Sequence, residues 1–246
     1  MLQKYYKWWM TFLIPAWVAV SFYAAQALVI GLVWVLVRLG ISLEFINEAV
    51  LNTTVAAFVY IITLIFVIGL PWLIKKRQTN REEIGLTGLP TWTDIFIAPA
   101  GFVVYVILSV ILIIIATKIL PGFDANQVQE VGFEQISQRY EYILAFLSLV
   151  VIVPIAEEIL FRGYLFGKLK KIIPIWAAIL ITSLLFGFLH GSWNVAIDTF
   201  ALSVVLCLLR QFTGSIWASI LLHMIKNGIA FYFLFINTSL FATLIR

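Results

Sequence analysis

Glu157 and Glu158 stand side by side in an otherwise apolar stretch, and Arg162 follows four residues after the second. The chain has two histidines, His190 and His223, each in a further apolar stretch, and Asn227 follows His223 at a spacing of four. These residue types can move protons and hold developing negative charge. A carboxylate sheltered from water becomes a usable base near neutrality unless a cation or donors offset the shelter. An imidazole can orient or share the proton, and imidazole and amide donors can stabilise an oxyanion. On a helix, Glu158 and Arg162 share one face and can pair, which lowers the cost of placing both in an apolar medium. Glu157 then points about 100° away, toward a different neighbour. His223 shares a face with Asn227, and Phe186 with His190. The same residues could serve packing alone, as a charge cluster between helices and two hydrogen-bonded histidines. It weighs toward chemistry that both histidines fall in segments next to the acidic cluster.

The elements that must position them are membrane helices. Of 246 residues, 63% are hydrophobic and 11% charged, with a mean hydropathy of +1.07. A soluble domain of this length could not hide so much apolar surface. Nine Trp, nine Tyr and twenty Phe suit interfacial belts and lipid-facing helices. A span needs roughly 20 apolar residues, and the candidates are 11–37, 50–74, 95–117, 142–166, 174–190, 195–209 and 216–236. Segment 237–245 is apolar but too short to span alone. The expectation is therefore an all-α, polytopic transmembrane bundle of seven or eight spans with a polar active site inside the membrane. Lys4 and Lys7 followed by Ala25-Gln26-Ala27 imitate a signal peptide, but the uncharged run 8–37 is too long for one and reads as an uncleaved first span. The lone Cys207 offers no disulfide framework and reads as a small core hydrophobe.

The chain reads as one integral membrane domain, 1–246. Within it, 11–74 forms two scaffold spans without comparable polar residues, and 75–94 is a cytoplasmic connection with a short surface helix and no chemistry. Residues 95–236 make the core. Short-loop lysines and arginines set orientation. Lys4, Lys7, Lys75, Lys76, Arg77, Arg81, Lys168, Lys170, Lys171 and Arg210 fall on one side; Arg38, Lys118, Arg139 and Arg246 fall on the other, among Glu44, Glu48, Asp124, Glu130 and Glu134. This predicts a cytoplasmic N-terminus and explains the net charge of +4 by topology, with no nucleic-acid partner. Depth agrees with convergence. At 1.5 Å per residue, Glu157 lies roughly 20 Å from Lys170, His190 about 24 Å from Pro174, and His223 and Asn227 about 14 and 20 Å from Gly214. Lys226 is expected to pair with Asp198 or to reach an interface, and Asn194 to cap a helix.

Three of these groupings resemble the motifs of one family. Glu157-Glu158-Ile-Leu-Phe-Arg162 is similar to the EExxxR motif of the CPBP intramembrane proteases, also called the Abi or CAAX protease family. Phe186-Gly-Phe-Leu-His190 resembles its FxxxH motif and His223-Met-Ile-Lys-Asn227 its HxxxN motif, in the family's order, over roughly 95–236. The resemblance implies an intramembrane endopeptidase, with members that trim prenylated CAAX proteins and bacterial members linked to bacteriocin processing or self-immunity. It implies that Glu157 and His190 activate a water, that His223 and Asn227 stabilise the oxyanion, and that Glu158 and Arg162 brace the site. The implied substrate is a peptide or protein in the membrane, with or without a lipid modification, among membrane lipids. The implied place is a bacterial plasma membrane.

Glu157, His190 and His223 could instead ligate zinc. The chain lacks the HExxH helix pair, and the resemblance favours a site without metal or other cofactor. Two other readings remain: a non-catalytic binding or immunity protein on the same scaffold, and a transporter using the glutamates and histidines as a proton relay. Transporters favour matching halves, whereas here the polar residues crowd into one half.

Overall fold

The computed structural model describes residues 2–43, 46–76, 79–124, 136 and 138–236. Among these residues there is helix and no strand, as expected for a chain whose backbone polar groups must be satisfied inside each segment crossing lipid. Among the described residues, six helices are long and apolar enough to cross a membrane: Trp8–Arg38, Val50–Ile74, Trp92–Ile119, Arg139–Leu169, Trp193–Thr213 and Trp217–Ile236. We label the helices α1 (Leu2–Arg38), α2 (Val50–Ile74), α3 (Arg81–Ile84), α4 (Trp92–Ile119), α5 (Arg139–Leu169), α6 (Ile175–Phe188), α7 (Trp193–Thr213) and α8 (Trp217–Ile236).

The expected span at 174–190 is corrected. α6 has 14 residues, a rise of about 21 Å against the ~30 Å of a bilayer's hydrocarbon core. His190 lies beyond its end, in a turn with Gly191 at φ +79°. The apolar segment 237–245 lies outside the described residues, as do Glu44, Arg77, Glu130, Glu134 and Arg246.

α5 and α7 form the centre, each half buried along its most apolar stretch, whereas the corresponding stretch of α1 is 17% buried. α6 and α7 make a tight hairpin because Gly187 lets the chains touch: a Cβ there would sit 2.6 Å from the Ala196 carbonyl oxygen. α4 packs across α7 and α8, with Gly101 admitting Leu222 and Leu209. α1 and α2 pack on each other and on the α5 side of the core, around Val18, Ala57, Tyr60, Val153, Ala156 and Leu160.

The connection 75–94 is more than a surface helix. Asn80 caps α3 by accepting from Glu83 N, and α3 is wedged against α5 where Gly163 and Gly167 present no side chains; a Cβ on Gly163 would strike Ile84. Ile216 N donates to Gly85 O at 3.1 Å and Trp217 Nε1 to Gly88 O at 2.7 Å. Glu83 pairs with Lys171 at 3.1 Å and Lys168 at 3.8 Å. A Thr91–Asp94 capping box then starts α4.

Candidate active site

α5 owes its shape to Pro154. A proline inside a helix removes one donor and crowds the preceding turn, and the helix widens into π-type turns at Leu147–Ile152 before it and Ile159–Phe166 after it. Such turns recur at functional sites. Val153 N reaches back to Ser148 O, so the next donor in that pattern would be Pro154, which has none. Leu149 O is thereby freed, and Asn227 Nδ2 donates to it at 2.9 Å.

One turn on, Glu157 and Glu158 are both buried, as are Arg162 and His223. Glu158 Oε1 accepts from Arg162 Nη1 at 3.0 Å and from His223 Nδ1 at 2.8 Å. His223 Nε2 faces Glu157 Oε2 at 3.5 Å. His223 therefore bridges the two glutamates, and a carboxylate taken from water keeps its charge only with such partners. The Arg162 guanidinium lies 4.4 Å from the centre of the Phe186 ring, a favourable cation–π placement. Phe186 also touches His190, at 4.8 Å between ring centres, and His223 at 6.1 Å.

His190 Nδ1 hydrogen-bonds the Phe186 carbonyl at 2.7 Å. A carbonyl only accepts, so Nδ1 carries the hydrogen and the neutral ring keeps an acceptor at Nε2. Lys226 Nζ stands 3.7 Å from Asp198 Oδ2, while Asp198 Oδ1 accepts from Tyr105 at 2.7 Å and Ser109 at 2.6 Å.

Glu157, Glu158, Arg162 and His223 thus form one contiguous cluster, with His190 beside it. The expectation that His223 and Asn227 would aim their donors at one point is not what the geometry gives. His223 turns to the glutamates and Asn227 to the Leu149 carbonyl, which leaves one Asn227 amide hydrogen outside that bond. Asn194 does not cap α7: Ser192 is the capping residue, and the Asn194 side chain accepts from Val195 N. The expected Asp198–Lys226 pair is present.

One site residue, Tyr60, is absent from the sequence expectations, and another, Phe186, does more than its motif implies. Tyr60 on α2 is buried close to Glu157 and interacts with its carboxylate, so the second span reaches the site. Phe186, expected as a helical neighbour of His190 and as the first residue of the FxxxH motif, is in addition the ring shared by Arg162 and both histidines. The signal for Tyr60 was a phenol inside an apolar run, since a buried hydroxyl wants a partner. Among the described residues no group of three His, Cys, Asp or Glu side chains is placed to hold a metal ion.

Residues 139–229 match the family model for type II CAAX prenyl endopeptidases of the Rce1-like kind. The segment holds the glutamates, both histidines and Asn227. The membrane-embedded CAAX protease MroQ of Staphylococcus aureus strain USA300 is 25% identical over 206 residues, which is 80% of this chain and 81% of that protein. No solved structure matches. The matched segment carries all three motifs on a helical membrane bundle, so the chain is similar to the CPBP, or CAAX protease, family of intramembrane proteases where those motifs lie.

Proposed function

We propose that this protein is a glutamate-dependent intramembrane endopeptidase that hydrolyses a peptide bond in a membrane-associated or lipid-modified peptide. The observation that carries the reading is the buried network in which His223 joins Glu157 to the Glu158–Arg162 pair, with the Nε2 face of His190 beside it. Four ionisable groups at membrane depth cost too much to serve packing that apolar side chains would do as well.

In this reading a water sits between Glu157 and His190 Nε2. Glu157 takes one of its protons as the oxygen adds to the peptide carbonyl. The carbonyl becomes an oxyanion, met by the Asn227 amide hydrogen that the Leu149 carbonyl leaves over, while His223 stays on the glutamates. The proton on Glu157 passes to the amide nitrogen, the C–N bond breaks, and a carboxylic acid and an amine leave. Glu158 and Arg162 touch no reacting atom; they fix the tautomer and direction of His223. The reaction runs on side chains and water, without metal or other cofactor. The substrate is a membrane peptide or protein, and the N-terminus faces the cytoplasm of a bacterial plasma membrane.

Glu157→Ala and His190→Ala are expected to abolish cleavage while leaving the protein folded. The check is comparative membrane proteomics of cells carrying wild type or Glu157→Ala, in which an uncleaved peptide should accumulate. Normal processing by both variants overturns the mechanism, and activity lost to a chelator together with stoichiometric zinc overturns the metal-free form.

A further inference from the structure

Asp198 and Lys226 form a charged pair that the catalytic cluster does not use, at the level where α4, α7 and α8 pack together. Leu222 of α8 lies over Gly101 of α4, and one turn further along both helices come Lys226 and Tyr105. α7 reaches this level with Asp198, because Ala196 and Phe200, on either side of it, supply the atoms nearest Gly187, three residues before His190. Lys226 itself stands between His223 and Asn227 in α8.

The two charges are held differently. Asp198 Oδ1 accepts from Tyr105 at 2.7 Å and from Ser109 at 2.6 Å, so α4 fixes the carboxylate. Asp198 Oδ2 stands 3.7 Å from Lys226 Nζ, near enough to attract and too far for a hydrogen bond. An ammonium carries three donors, and among the described residues Lys226 gives none of them to an acceptor. Its side chain is 24% exposed. A cation at membrane depth faces the bundle interior or a polar cleft, because hydrocarbon offers it no acceptor. Lys226 therefore offers positive charge and unused donors to a ligand beside Asn227.

We infer that Lys226 binds a carboxylate of the substrate, with Asp198 as the resident anion that holds the lysine in place and competes for it. A peptide's anions are its C-terminal, Asp and Glu carboxylates, so the ligand class follows from the proposed protease reading, on which this inference rests. Reach sets its position. Consecutive Cα atoms are about 3.8 Å apart and a lysine stem adds roughly 6 Å, so Nζ stays within about 10 Å of the Asn227 backbone. At ~3.3 Å per extended residue, the carboxylate belongs within about three residues of the scissile bond.

The test is binding, which needs no turnover. Lauroyl-capped tripeptides serve as probes: trialanine with a free C-terminus, trialanine carboxamide, and Ala-Asp-Ala carboxamide. Affinities are measured in detergent on the full chain carrying Glu157→Gln, so that no probe is consumed. A charge-assisted contact predicts that a carboxylate probe binds roughly tenfold tighter than trialanine carboxamide. Whether the free C-terminus or the aspartate gives the gain identifies the source of the carboxylate. Lys226→Met should erase the gain, and Asp198→Asn should enlarge it by removing the competing anion. A pair that only braces the helices would weaken binding in both variants. No gain for either carboxylate probe overturns the inference, as does a gain that survives Lys226→Met or fails to rise in Asp198→Asn. The double variant Lys226→Met/Asp198→Asn replaces Lys226→Met should the latter be absent from the membrane. A missing gain alongside processing lost in Glu157→Ala cells sinks the carboxylate subsite alone; a Lys226-dependent gain alongside unaltered processing sinks the protease reading alone.

Discussion

Glu157 and Glu158 are neighbours with nearly equal burial, yet their partners assign them different substitutions to fear. Glu158→Gln leaves Arg162 a buried cation without its anion, a loss of about 3–5 kcal/mol by the behaviour of broken buried pairs. Glu157→Gln keeps shape and hydrogen-bonding capacity and removes only the base, so cleavage should vanish with stability changed by less than about 1 kcal/mol. Thermal unfolding in detergent beside a cleavage assay separates the two; a Glu157→Gln variant less stable than Glu158→Gln would reverse the assignment. Tyr60→Phe removes the hydroxyl facing Glu157 and should slow turnover roughly tenfold, near 1.4 kcal/mol of transition-state stabilisation, with unfolding unchanged; a wild-type rate would make Tyr60 a packing residue. The Glu158–Arg162 pair was legible in the sequence because a spacing of four on a helix is itself a statement about contact. Tyr60 was not, since nothing local links it to a carboxylate on the other side of three loops.

At the scale of the element, periodicity told where helices run but not what Pro154 does to one. The widened turns of α5 and the freed Leu149 carbonyl follow from the proline's missing donor, and the choice of Asn227 to satisfy that carbonyl depends on how α8 packs against α5. The dependence can be measured. Asn227→Ala in the wild-type background strands a carbonyl and should cost about 1–3 kcal/mol. With Pro154→Ala already present, residue 154 supplies an N–H and the same substitution should cost markedly less. Unfolding of the two single variants and the double variant gives the coupling directly; strictly additive losses would mean that Asn227 does not answer to Pro154. The short α6 escaped the sequence for a related reason: the apolar run continues through Leu189, while the backbone turns at Gly191, and composition does not register where a helix stops inside an apolar stretch. Gly163 illustrates the reverse case, a residue silent in the pattern that decides a helix contact. Gly163→Val should drive Ile84 off α5 and destabilise by about 1–3 kcal/mol, read as a lower unfolding temperature, with no change expected at a glycine facing open space such as Gly31.

Across the whole molecule the wedge at the basic end joins the connection 75–94 to α5 and α8, and Glu83 is the charge that fastens it. The Lys171 hydrogen bond, then the charges of Lys168 and Lys171, hold the Glu83 carboxyl below the usual glutamate range despite the opposing effect of burial. The sign follows. A carboxylate whose folded value is depressed stabilises the fold fully above its unfolded value, near 4.3, and loses that contribution as pH falls toward the folded value. Glu83 is about one-third exposed, so screening keeps the effect under about 1 kcal/mol at neutral pH. Wild type should therefore melt slightly above Glu83→Gln near neutrality, and the two curves should converge below about pH 4. Lys171→Met should reproduce most of the Glu83→Gln loss and respond to acid in the same way. Were the gap between wild type and Glu83→Gln constant with pH, or wider in acid, the wedge would be held by the Ile84 contact and backbone bonds alone, and the glutamate would be a bystander at the basic end.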